Sequence, residues 1–260
     1  MSEISNLAYI HPDAILGKDV KIEAFAYIDA NVEIGDGTHI MSNANIRSGA
    51  RIGSNCTIFP GAVIGGIPQD LKFKGEDTLA IIGNNTVIRE CVTVNRGTVA
   101  KGKTVVGNNC LLMAYSHIAH DCILNNYIII GNSTQLAGEV EVFDHAILSG
   151  GTLVHQFTRI GQHVMIQGGT RLGKDIPPYI IAGREPVSYA GINSIGLRRS
   201  GFANDQINLI QEIYRLIYQS GFNISDAVKK AETEFDDSAE KNIILDFIKS
   251  SPRGIVRGYL

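Results

Sequence analysis

Three polar residues with chemical capacity fall in one short run. His117, His120 and Asp121 lie in NNCLLMAYSHIAHDC, Asn108 to Cys122. An imidazole beside a carboxylate is a base with a group able to orient it. Gly138 follows His120 by eighteen residues, and Gln156 follows by eighteen more. If eighteen residues make one structural repeat, these three stack. A base, an unobstructed backbone N–H and an amide then form one ladder, the arrangement of a base next to an oxyanion donor. Two other readings stand beside it. An outward imidazole can simply be solvated. His117-x-x-His120 with His155 or His163 could also hold zinc, although a His-x4-His spacing is absent.

The repeat is present. Ile10, Leu16, Ile22, Ile28, Ile34, Ile40, Ile46, Ile52, Ile58 and Ile64 recur at every sixth position. The phase returns at Ile82, Ile88 and Val94, and again from Val106 through Ile118 and Leu136 to Leu172. Helices repeat at 3.6 and strands at 2, so a sustained six indicates a β-solenoid of hexapeptides. Two residues before each aliphatic sits a small or β-branched residue such as Ala26, Ala44, Cys56, Cys110, Cys122 or Thr134. Three hexapeptides would close a coil of about eighteen residues, with coils stacked about 4.8 Å apart. By this register Ile118 and Cys122 point inward, and His117, His120 and Asp121 point outward. Gly often follows the aliphatic residue, as at Gly17, Gly35, Gly53, Gly65 and Gly83. The expectation is that it supplies the positive φ of a tight corner.

The 260 residues carry a net charge of −3 and no tryptophan. That balance gives no reason to expect nucleic-acid binding. No stretch reads as a membrane span, and the start MSEISNLAYIHP lacks a signal pattern, so a cytoplasmic protein is expected. Cys56, Cys110 and Cys122 fall on the small inward position and read as core residues. Cys91 falls off it.

Two excursions break the solenoid, at 66–79 and 98–103, and become loops on its face. The solenoid is expected to span 1–190 and a helical domain 191–260. Ile207, Ile210, Tyr214 and Ile217 recur at helical spacing, with Gly221 at the C-cap. Ser225 is the expected cap of a second helix, 226–235, and Ile243, Ile244, Phe247 and Ile248 mark a third.

Several runs occur in order: QDLKFKGE from Gln69, RECVTVNRGT from Arg89, LLMAYSHIAHDC, TLVHQF from Thr152, the Pro-Pro-Tyr at 177–179, GLRRSGF from Gly196 and SPRGIVR from Ser251. Together they resemble the acyl-[acyl-carrier-protein]–UDP-N-acetylglucosamine O-acyltransferase family, whose members begin lipid A biosynthesis. The resemblance spans nearly the whole chain. It implies a left-handed parallel β-helix, a homotrimer with sites between subunits, and 3-hydroxyacyl transfer from acyl carrier protein to the sugar 3-OH of UDP-N-acetylglucosamine. No cofactor is implied beyond the carrier's own phosphopantetheine. His120 matches the general base, Asp121 its supporting carboxylate and Gly138 the oxyanion N–H. Asp70, Lys72, His117, His155 and Gln156 match residues lining the sugar and phosphates. Asn193 and Arg199 match nucleotide contacts. Gly168 matches the acyl-length ruler, and a glycine there implies a long chain.

Some positions depart from the family pattern. Asn95 and Glu139 stand where histidines are common, Ile195 where a glutamate is, and Ser200 where a second arginine is. An N-acyltransferase acting on a UDP-3-amino sugar therefore stays open, since an amine needs less help from a base. An acetyl-CoA-dependent acetyltransferase, a zinc hydratase and a non-catalytic scaffold are the other readings. Arg198, Arg215, Lys229 and Lys230 are candidates for steering an acidic carrier protein.

Overall fold

A computed structural model describes residues 2–258. Most hexapeptides form a two-residue strand closed by a turn, as at Lys21–Ile22, Tyr27–Ile28 and Glu33–Ile34. Strands from every third hexapeptide line up in one sheet. The three resulting sheets have 11, 9 and 8 strands. Registers such as Tyr9↔Tyr27, Tyr27↔Asn45 and Asn45↔Val63 give the eighteen-residue coil. Pairing is parallel until Ile180–Gly183 meets Ser188–Ile192 in antiparallel fashion.

The inward aliphatics fill the prism, with Ile28, Ile40, Ile58, Leu112 and Ile118 fully buried. Several polar residues at the small position bond a backbone carbonyl, although Ser116 Oγ and Thr158 Oγ1 have no partner among the described residues. Thr38 Oγ1 donates to Gly53 O at 2.7 Å and Thr86 Oγ1 to Gly107 O at 2.8 Å. The Cys122 thiol lies 3.1 Å from Ala137 O. Burial pushes the Cys110 and Cys122 thiols up to about 11 and about 12, so they stay neutral packing groups.

The glycines after the aliphatics do a different job from the expected one. Among them, within the described residues, only Gly65 has positive φ. The left-handed corner lies three residues past the aliphatic, at Asp19, Asn43, Asn55, Tyr115, Asp121 and His145. The earlier glycines instead let neighbouring coils touch. A Cβ on Gly83 would lie 2.5 Å from the Gly107 carbonyl carbon. Gly169 has φ +71° and nothing within 4 Å of its Cβ position. Gly83→Ala is therefore expected to destabilise by roughly 1–3 kcal/mol. Gly169→Asn should cost less than about 1 kcal/mol, because Asn tolerates the left-handed region. Denaturant unfolding of both variants checks the order.

One corner stacks rings: Tyr127 on His145 at 4.7 Å, His145 on His163 at 4.6 Å. Burial, reinforced by His145, pushes the His163 imidazole down to about 4 from 6.5. The ring is neutral in the fold and protonates more readily in the unfolded chain. Its contribution is complete above the unfolded value and is lost as pH falls toward 4. Between about pH 7 and about pH 4.5, wild type should lose more stability than His163→Phe. The difference is on the order of 1–2 kcal/mol for a half-buried ring, and unfolding at the two pH values measures it.

Four helices follow: α1 Ser194–Arg199, α2 Asn204–Gln219, α3 Ile224–Glu234 and α4 Ala239–Lys249. The cap of α3 is Asn223 rather than Ser225, its side chain accepting from Asp226 N at 2.9 Å. Gly221, at φ +79°, follows the end of α2. Tyr214 on α2 is fully buried and donates to Pro178 O at 2.6 Å, tying the helices to the last coil. The tail returns to the solenoid through bridges Asp175↔Ile255 and Ser188↔Arg257. Met1 and residues 259–260, the ends of the two expected domains, lie outside the described residues.

Candidate active site

His120 and Asp121 occupy the corner after strand His117–Ile118. Stacking places Gly138 directly over the imidazole: a Cβ there would lie 2.6 Å from both Cε1 and Nε2 of His120. Among the described residues the Gly138 N–H has no backbone acceptor, while Glu139 N–H binds His120 O at 3.0 Å. His120 Nδ1 lies 2.8 Å from Asp121 Oδ2.

Asp121 does not point into solvent as its register implied. Its side chain is 0% exposed, and that of His120 is 12% exposed. The second excursion folds over the carboxylate as a strap. Thr98 N–H donates to Oδ1 at 2.9 Å, Thr98 Oγ1 to Oδ2 at 2.6 Å and Lys101 N–H to Oδ1 at 3.2 Å. Burial alone would raise the Asp121 carboxyl. The Thr98 hydroxyl, His120 and the two N–H groups outweigh it and hold the group below its ordinary value. An ionised carboxylate only accepts, so the proton between the pair belongs to His120 Nδ1. Nε2, on the Gly138 side, is left free to act as a base.

His117 lies on the same coil, its Nδ1 2.7 Å from Thr93 Oγ1. Burial and the neighbouring His120 lower its pKa, which favours a neutral ring. It opens a groove of about 580 Å³ with Gln135, Ala137, Leu153, His155 and Arg171. The groove runs along one sheet, from the His117 strand past Gln135 and Leu153 to the Arg171 strand, and its exposed lining is mostly apolar. Gln156 stands beside His155, and its carbonyl accepts from Arg253 Nη1 at 3.2 Å.

Other expected site residues are not gathered here within one chain. Asp70 and Lys72 sit on the first excursion, tied to each other through Lys72 N–H and Asp70 Oδ1 at 2.9 Å. That loop projects: Leu71 is 105% exposed, and Phe73 is held under Arg96 at 5.2 Å. Asn95 is buried and anchors the loop's start through Ile67 O at 3.0 Å. Asn193 is 6% exposed and caps α1, accepting from Gly196 N–H and donating to His163 O. Arg199 is exposed in the last turn of α1, near exposed Ile195 and Ser200. Gly168 is exposed on another corner, its Cβ position 3.2 Å from Gly150 O. Among the described residues no three His, Cys, Asp or Glu side chains converge as a metal site, and His163 belongs to the ring stack. No described helix is long and apolar enough to cross a membrane. The residues missed from sequence were Thr98 and Thr104, which accepts from Asp121 N–H at 2.8 Å. Their signal was position alone, Thr98 opening the second excursion and Thr104 following it.

A solenoid of hexapeptide coils with a docked C-terminal helical domain defines a hexapeptide-repeat acyltransferase. Residues 31–66 and 103–138 match the family model of bacterial transferase hexapeptides. Residues 175–256 match that of UDP-N-acetylglucosamine O-acyltransferase domain 2. An acyl-[acyl-carrier-protein]–UDP-N-acetylglucosamine O-acyltransferase of Burkholderia orbicola is 43% identical over 74% of this chain and 76% of its own. The Pseudomonas putida protein of that name is 43% identical over 72% and 73%. A UDP-N-acetylglucosamine acyltransferase structure from Bacteroides fragilis superposes with TM-score 0.97 at 61% identity, covering 98% of this chain and 100% of that one. One from Francisella novicida gives 0.95 at 38%, covering 98% and 94%. The chain belongs to the UDP-N-acetylglucosamine O-acyltransferase family, and its coils form the left-handed parallel β-helix.

Gly138→Ala tests the stacked pair. The added methyl must displace the His120 ring, and displacement of about 1 Å costs about a hundredfold in rate. Acyl-transfer kcat should fall by that order while thermal unfolding stays near wild type.

Proposed function

We propose that this chain transfers a 3-hydroxyacyl group from acyl carrier protein to the 3-OH of UDP-N-acetylglucosamine, the entry step of lipid A biosynthesis. The observation that carries the reading is the His120–Asp121 pair at 2.8 Å beneath Gly138. The sugar hydroxyl oxygen attacks the thioester carbonyl carbon as His120 Nε2 takes its proton. Asp121 stabilises the resulting imidazolium. The carbonyl oxygen becomes an oxyanion and accepts from Gly138 N–H. On collapse the carbon–sulfur bond breaks, and the phosphopantetheine sulfur leaves with the proton held on His120. The oxygen ester remains on the sugar. Every group in this sequence comes from the chain or its two substrates.

His117, His155 and Gln156 line the sugar and phosphate region in this reading, and the apolar groove lining takes part of the acyl chain. Asp70 and Lys72 on their projecting loop, and Asn193 and Arg199 at α1, complete the site between subunits of a homotrimer. Support comes from their placement: none of them lines the groove between His117 and His155, and the loop tip at Leu71 is fully exposed. The relatives are named for O-acylation, which favours a hydroxyl acceptor over an amine. A cytoplasmic setting is the reading that suits use of acyl carrier protein as donor.

Transfer from 3-hydroxyacyl carrier protein to UDP-N-acetylglucosamine is the decisive assay, wild type beside His120→Ala. Robust transfer and a loss of roughly a thousandfold or more in the variant are expected. Transfer only to a 3-amino acceptor would overturn the acceptor assignment. Gly168→Met should shift preference toward shorter donors; an unchanged chain-length profile would remove the ruler.

A further inference from the structure

We propose that Thr98 is a positioning residue for the transfer step, fixing Asp121 so that His120 keeps its proton on Nδ1 and presents Nε2 as the base. The inference rests on His120 being that base. A carboxylate offers about four acceptor positions. The strap fills three, with Thr98 N–H and Lys101 N–H on Oδ1 and Thr98 Oγ1 on Oδ2. The fourth faces His120 Nδ1. The hydroxyl has a defined direction as well. Ala100 N–H donates to Thr98 Oγ1 at 3.2 Å, so the hydroxyl proton is aimed at Asp121. Thr98 is 6% exposed, and the group it serves is fully buried.

The strap is itself anchored on both sides. Thr78 Oγ1 donates to Gly97 O at 2.6 Å, and Gly102 N–H to Thr98 O at 2.7 Å. Lys101 Nζ pairs with Glu141 at 3.2 Å, and Glu141 also meets Arg159 at 3.5 Å. Thr104 Oγ1 accepts from Asp121 N–H, fixing the corner's backbone. The titratable and charged groups around the pair are His117 on its own coil, Arg96 before the strap, Lys101 on it, and Glu139 and Glu141 on the next coil. The Thr98 side chain bonds Asp121 and Ala100 N–H and not the His120 ring. It acts through Asp121.

The test compares Thr98→Val, Thr98→Ser and His120→Ala in steady-state transfer across pH. Valine keeps the shape and the N–H and removes the hydroxyl. Its kcat should fall roughly ten- to hundredfold, with KM for UDP-N-acetylglucosamine within about twofold. The acid limb of kcat/KM should move to higher pH, because a carboxylate short of one donor holds the imidazolium proton more strongly. Serine should restore both. An unmoved kcat and acid limb in Thr98→Val, beside inactive His120→Ala, would overturn the role of Thr98 alone. Transfer surviving His120→Ala would overturn the base and Thr98's role with it. Nitrogen-15 spectra of the wild-type histidines give a readout independent of variant folding. Neutral His120 protonated on Nδ1 supports the proposal, and protonation on Nε2 overturns it.

Discussion

Successive coils are tied by parallel backbone hydrogen bonds in an eighteen-residue register, and the remaining structure depends on that ladder. Residues at one corner stack on their equivalents at the interstrand spacing, about 4.8 Å. Side chains add to the ties. Asp36, Asn84, Asn108, Asn126 and Asp144 each accept from a backbone N–H of the coil below, at 2.7 to 2.9 Å. Side chains alternate along a strand, so a one-residue slip would turn the buried isoleucines into water. The hydrophobic phase and the hydrogen-bond register therefore enforce each other.

The candidate site uses the ladder and one departure from it. Stacking alone brings Gly138 against His120, residues far apart in the chain. It also aligns His117, Gln135 and Leu153 as one groove wall. The burial of Asp121 has another source. Regular coils leave a corner side chain near solvent, and here the strap from Thr98 to Lys101 supplies both the cover and the donors. The imidazole belongs to the repeat, while the environment of its partner belongs to the insertion.

That division explains what could be read from residue order. The solenoid, its two interruptions and the His120–Gly138–Gln156 ladder follow from a period of six, because a periodic pattern encodes a periodic structure. The burial of Asp121 does not follow. It depends on how six residues outside the period fold back, and no periodicity describes them. The glycines after each aliphatic showed their position but not their purpose. Close contact between coils is a non-local property, whereas a corner is local. The α3 cap shifted from Ser225 to Asn223 because both are good capping residues and packing decides between them. The six-residue helix at Ser194 carries too little pattern to announce itself. The groups at Asp70 and Arg199 were legible only through family likeness, since they fall outside the periodic pattern and do not line the groove beside His117.

A repeat array has near-translational symmetry along its axis, and no coil is privileged by the repeat itself. Corners holding a polar residue in the left-handed conformation recur at Asn43, Asn55, Asn109, Asp121 and His145. The strap breaks that symmetry at a single rung. It selects one corner from many equivalents and gives it a dry, donor-lined interior. A short insertion thus acts as an address on an otherwise uniform scaffold. Chemistry can be localised by folding one loop over one coil, without altering the pattern that builds all of them.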